Sequence, residues 1–159
     1  MSNKMKIYSV VFAGMMALAG LSPVSYAADA KTGDKSKASQ AAKAAEKEKV
    51  VIQVTDGSPK NWYLALANAK NVQDLIGKEN VEVEIVAYGP GISMLKLESE
   101  AIQGIEKAMD NGVKVVACQN TMQAQKLQES DMMPKISYVK AGVVELMRKQ
   151  KEGYAYIRP

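Results

Sequence analysis

The sequence predicts an α/β domain with a mostly parallel central sheet and helices on both faces. Three observations carry this expectation. Short runs rich in β-branched residues stand at 50–55 (VVIQVT), 81–88 (VEVEIVAY) and 113–118 (VKVVAC). The segments between them have helical length and end at glycine or proline. Strand and helix then alternate to the end of the chain, and connections of that length favour parallel neighbours.

The first strand stops at Asp56-Gly57-Ser58-Pro59. Proline suits the first turn of a helix, where its missing N–H is not needed. That helix runs to Gly77, with Trp62, Leu64, Leu66, Ala69, Val72 and Ile76 as apolar positions, and Trp62 and Tyr63 read as packing residues. The second strand alternates apolar and polar residues until Gly89-Pro90-Gly91 interrupts it. A second helix is expected over 99–111, with Ile102, Ile105 and Met109 facing inward and Gly112 as its stop. After the third strand come a short helical stretch at 121–128, a loop to Pro134 and a brief strand at 137–139. Residues 141–151 read as a helix with Val144, Leu146 and Met147 as apolar positions. Gly153 ends it, and 154–158 (YAYIR) form a closing strand.

A chain of 159 residues supports one ordinary domain. The net charge is +4, but Lys4 and Lys6 belong to a leader, and from residue 49 onward 14 Lys and Arg face 13 Asp and Glu. No basic field remains in the domain, so no nucleic-acid partner is expected. Histidine is absent. That removes the usual base near neutral pH, the Ser-His and Cys-His nucleophile pairs and the commonest metal ligand. A single cysteine excludes an intramolecular disulfide and a thiolate-rich zinc site. No cofactor and no metal are expected.

Residues 1–27 read as a cleavable export signal. Lys4 and Lys6 lead an apolar run at 10–21, and Ser25 and Ala27 supply the small residues that signal peptidase reads. The run falls short of the ~20 residues that span a bilayer as a helix. Cleavage is placed after Ala27, with Ala28 and Ala30 as a second small-x-small site. The expected location is periplasmic, with no membrane span after processing. Residues 28–48 carry no large apolar side chain and read as a flexible polar linker, which leaves 49–159 as the domain.

In an open parallel sheet, ligands bind beyond the carboxyl ends of the strands. Three such ends are legible: Asp56-Gly57-Ser58, Gly89-Pro90-Gly91 and Cys118-Gln119-Asn120-Thr121. Asp56 offers an acid or base, but an Asp before Gly-Ser-Pro also caps the helix that follows. The glycines at 89 and 91, on either side of Pro90, let backbone approach an anion. The loop lacks the length of a Walker motif and the spacing of a dinucleotide turn, and a tight turn explains it too. The ten methionines are spread as gap-fillers.

Cys118 stands apart from these candidates. It is either a small buried hydrophobe or a nucleophile, and its place at a strand end sets the second role level with the first. Asn120 and Thr121 read as caps of the next helix, whose positive end would lower the thiol pKa and stabilise a thiolate or persulfide. No resolving cysteine exists, so any thiol exchange involves a partner.

With VAYGPGI at 86–92, GVKVVACQNTM at 112–122, AGVVEL at 141–146 and GYAYIRP at 153–159, the chain resembles the DsrE/DsrF-like family, in particular its small exported single-domain members. The similarity covers about 49–159, and the ACQNTM and GYAYIRP segments are specific as a pair. The resemblance implies a three-layer α/β fold, often assembled into trimers or hexamers. It further implies a cysteine at the end of a central strand that accepts sulfane sulfur as a persulfide and passes it to a partner protein; Cys118 occupies that position. The sulfur-relay members work in the cytoplasm, whereas this chain reads as exported. Family membership alone does not assign an activity.

Three functions compete. The first is a periplasmic sulfur carrier, sulfurtransferase-like if active, with Cys118 as the reacting group, Asn120 and Thr121 stabilising its charge and Gly89–Gly91 as a wall. The second is a non-catalytic small-molecule-binding or oligomeric assembly module in which Cys118 is structural. The third is an anion-binding protein that uses the glycine loop.

Overall fold

The β-branched runs become strands β1 (Glu48–Val54), β2 (Val81–Ala87) and β3 (Lys114–Cys118), and two short strands follow, β4 (Ser137–Val139) and β5 (Ala155–Ile157). The computed structural model describes residues 46–159, so the leader and nearly all of the linker lie outside the described residues. Helix α1 (Pro59–Ile76) joins β1 to β2. A 3₁₀ helix (Gly89–Leu95) and α2 (Ile102–Asp110) join β2 to β3. Helix α3 (Gln119–Ala124) leads from β3 towards β4, and α4 (Gly142–Lys151) carries the chain to β5.

All five strands are parallel, in the order β4-β3-β2-β1-β5. The first four are laid down in one direction across the sheet. The chain then reverses to place β5 beside β1. Parallel crossovers are right-handed almost without exception. Connections that step in one direction therefore fall on one face, and the connection that steps back falls on the other. This is why, among the described residues, α4 alone covers the second face.

The packing follows that division. On the first face Trp62, Ala65 and Ala69 of α1, Ile105 of α2 and Ile92, Met94 and Leu95 of the 3₁₀ helix bury against Ile52, Val54, Val83, Ile85 and Val115. Each fully buried isoleucine or leucine there contributes about 1.5–3 kcal/mol. On the second face Leu146 of α4 packs on Val51, Val86 and Val116. The expected sheet with helices on both faces is present, with most of the apolar mass on one side.

Some sequence expectations shift. The second helix begins at Ile102 rather than near 99, because 96–101 turn as irregular chain. Leu64 and Ile76 of α1, and Val144 and Met147 of α4, are exposed, and Ala65 and Glu145 take inward positions instead. Trp62 is buried, whereas Tyr63 is exposed with its hydroxyl donating to the Glu100 carbonyl at 3.1 Å. Among the described residues no helix is long and apolar enough to cross a membrane.

Gly91 shows how tightly the strand ends pack. A Cβ there would lie 2.3 Å from the Val54 carbonyl oxygen, and the Gly91 N–H donates to the Thr55 carbonyl at 3.1 Å. The obstacle is backbone, which has little room to yield. Gly91→Ala is expected to cost about 3 kcal/mol in urea unfolding. Pro90→Ala next to it, at an exposed position, is expected to cost less than about 1 kcal/mol.

Candidate functional site

Cys118 ends β3 and is paired in register with Val139, the last residue of β4. The chain leaves β3 into α3 on the first face, and leaves β4 into α4 on the second. Two neighbouring strands whose exits part to opposite faces define the switch point of an open parallel sheet, the place where ligands bind in such folds. Cys118 stands at that point. It is 4% exposed and has no disulfide partner.

Two helix starts converge there. Cys118 is itself the N-cap of α3, so Asn120 and Thr121 lie inside the first turn, a correction to their expected place as caps. Helix α4 starts at Gly142, two residues beyond Lys140, and the Lys140 carbonyl accepts the Asn120 N–H at 3.1 Å. This bond ties the two starts together.

Burial alone would push the Cys118 thiol up. Hydrogen bonds from the Thr121 hydroxyl and from the N–H groups of Gly142, Thr121 and Asn120 outweigh it and hold the thiol below its ordinary value. The share from Asn120 is divided, because the same N–H serves Lys140. Thr121 is oriented by the glycine loop: the Gly89 N–H donates to Thr121 Oγ at 3.0 Å. Gln125 Nε2 donates to the Gly89 carbonyl at 3.2 Å and clamps the loop from its other side. Gly89 has φ +56°, in the region that favours glycine.

The sequence-predicted residues divide accordingly. Cys118, Asn120, Thr121 and Gly89 come together. Pro90 is exposed, and Gly91 faces the end of β1. The N–H groups of Gly89 and Gly91 are already bonded within the protein, so the loop does not present them to a phosphate. Asp56 lies away from the sulfur, beyond the end of β1. Its carboxylate accepts the Ser58 N–H at 2.7 Å, its carbonyl accepts the Trp62 indole N–H at 2.7 Å, and Ser58 holds the N-cap position. Asp56 also lines a recess of about 40 Å³ with Asn61 and Arg158.

Two members of the site were missed. Gly142 lies under Tyr88: a Cβ there would approach the Tyr88 ring to 2.9 Å. Burial raises the Tyr88 pKa, and the neighbouring Tyr156 and Cys118 add to that against the pull of Arg158. The signal was the fourth strand end, Lys140-Ala141-Gly142, which has the same place after β4 as Cys118 has after β3. A separate cleft of about 290 Å³ between α1 and α2, bordered by Leu66, Lys107 and Val113, lies near the amino end of β3 and contains none of these residues.

A family model described as the DsrE/DsrF-like family matches residues 29–159. A solved protein of unknown function from Methanobacterium thermoautotrophicum is 31% identical, with a TM-score of 0.68 over 71% of this chain and 100% of that one. A second, from Bacteroides thetaiotaomicron and likewise of unknown function, shares the fold at 13% identity, with a TM-score of 0.55 over 70% of this chain and 95% of that one. No curated protein matches.

The donor set makes two predictions. Thr121→Val is expected to raise the thiol pKa by about one unit and Thr121→Ser to preserve it, read from thiolate absorbance against pH. A thiol whose folded pKa is depressed favours the fold above its unfolded pKa, and that contribution is lost as pH falls through the folded value. The stability difference between the native chain and Cys118→Ala should therefore grow as pH rises towards 9.0, the ordinary thiol value; a difference independent of pH would show that the thiol is not tuned.

Proposed function

Because this chain belongs to the DsrE/DsrF-like family, we propose that it is an exported, periplasmic sulfur carrier in which Cys118 holds sulfane sulfur as a persulfide. The observation that carries the reading is the place of Cys118 at the switch point of the sheet, where the starts of α3 and α4 meet and are tied by the Asn120–Lys140 bond.

The chemistry needs only a thiolate and a partner. The Cys118 thiolate attacks the sulfane sulfur of a donor. A new S–S bond forms at Cys118, the donor's S–S bond breaks, and the donor's leaving thiolate departs with the electron pair. An acceptor thiolate then attacks the outer sulfur of the persulfide, and Cys118 leaves as the thiolate that its surroundings already stabilise. No oxidant and no histidine enter either step. With one cysteine in the chain, the acceptor thiol belongs to a partner. Thr121 and the N–H groups of Gly142 and Asn120 carry the charge, and Gly89 holds Thr121 in place.

Assembly with copies of the same chain, as a trimer or hexamer, belongs to this reading. Val143, Val144 and Met147 expose 52%, 47% and 54% of their surface on the outer side of α4, an apolar stripe beside the site.

The burial of Cys118 favours one other reading, a structural thiol in a non-catalytic module. Intact mass separates the two. After polysulfide, or thiosulfate with a sulfurtransferase, the native chain is expected to gain ~32 Da on Cys118 and Cys118→Ser to gain nothing. No gain, together with a thiol that resists alkylation until the protein unfolds, would establish the structural role.

A further inference from the structure

Helix α4 has a second attachment, far from Cys118, that the sulfur chemistry does not use. Its inward positions are Gly142, Glu145, Leu146 and Lys149, spaced as one helical stripe. Gly142 is at the site, and Leu146 is the one α4 residue in the apolar cluster of that face. Lys149, two turns on and 9% exposed, lies over Glu84 in the middle of β2.

Glu84 is 2% exposed, and its Oε1 has no hydrogen-bond partner among the described residues. Its Oε2 lies 3.5 Å from Lys149 Nζ and 3.7 Å from Lys114 Nζ of β3. Lys149 is held further by Glu152 at 3.2 Å and Glu145 at 3.9 Å, and its ammonium stands 4.8 Å from the centre of the Tyr154 ring. Burial pushes Glu84 above the usual carboxylate range, against the pull of Lys149 and Lys114.

Buried charge is a poor way to gain stability, because desolvation offsets most of the attraction, and an apolar pair of similar size would hold a helix as well. What charges add is direction. One leucine tolerates rotation of the helix about its axis. A buried ammonium between Glu84, Glu145 and Glu152 does not, since turning away leaves the buried Glu84 with only the exposed Lys114 at 3.7 Å. Rotation of α4 is also the motion that would shift Gly142, at the start of the helix, relative to Cys118.

We propose that the Glu84–Lys149 pair is a positioning device for the sulfur site: it fixes the rotation of α4 and thereby holds the start of that helix, at Gly142, in place beside Cys118. Glu84 and Lys149 are positioning residues and touch no reacting atom. The inference rests on Cys118 being the working thiol, and its test is independent of sulfur transfer.

The test is the pH profile of Cys118 alkylation by iodoacetamide, in variants shown to be folded by circular dichroism. Glu84→Gln and Lys149→Gln are each expected to raise the kinetic pKa by about one unit, slowing the reaction near neutral pH by up to about tenfold. Lys149→Arg, which keeps the charge, is expected to restore the native profile. Leu146→Ala, which removes apolar contact but no charge, is the control: it should lower the melting temperature and leave the profile in place. Should Glu84→Gln fail to fold, Lys149→Gln, at the rim of the pair, decides alone. Unchanged profiles in folded Glu84→Gln and Lys149→Gln would overturn the proposal, as would an equal shift in Leu146→Ala. A chain that shows these shifts but never gains sulfur would refute the carrier reading and leave this one standing.

Discussion

The reversal of the chain after β4 is the constraint on which the rest of this structure depends. Four parallel strands are laid side by side in one direction, and the fifth returns to the far side of β1. Since a parallel crossover is right-handed, that single change of direction puts α4 on the opposite face from α1, α2 and α3. Without it, Val51, Val86 and Val116 would have no helix over them. The packing of the second face and the parting of α3 and α4 at Cys118 are both products of one topological choice.

The site that results is an economical answer to a buried thiol. Enclosure disfavours the thiolate, and there is no histidine to take its proton. The protein relies instead on fixed dipoles: two helix starts and one hydroxyl, each held by a further bond. Gly89 fixes Thr121, the Asn120–Lys140 bond fixes the two helix starts, and the Tyr88 ring closes on Gly142. These groups are oriented before any charge appears, so they stabilise it without rearrangement. The same field would suit a thiolate and, in the carrier role proposed above, the persulfide anion that follows it.

The glycine loop illustrates how one motif can be read for the wrong partner. Gly89-Pro90-Gly91 has the composition of a phosphate loop, but its amides serve Thr121 and Thr55 within the protein. Its contribution is mechanical, since it fixes the Thr121 side chain in the first turn of α3. Asp56 is similar: its carboxylate and carbonyl shape the entry to α1 and do not reach the cysteine.

The sequence by itself determined the alternation of strand and helix, the absence of histidine chemistry and the position of Cys118 at a strand end. These are legible because β-branched runs, glycine stops and residue counts are local properties that need no knowledge of distant partners. Strand order, the face taken by α4 and the company that Cys118 keeps were decided only in three dimensions. Gly142 is 24 positions from Cys118, and Glu84 is 65 from Lys149; nothing in the spacing of either pair marks it as a contact. Both meet because parallel pairing sets β3 between β2 and β4, and because handedness then brings α4 back across them.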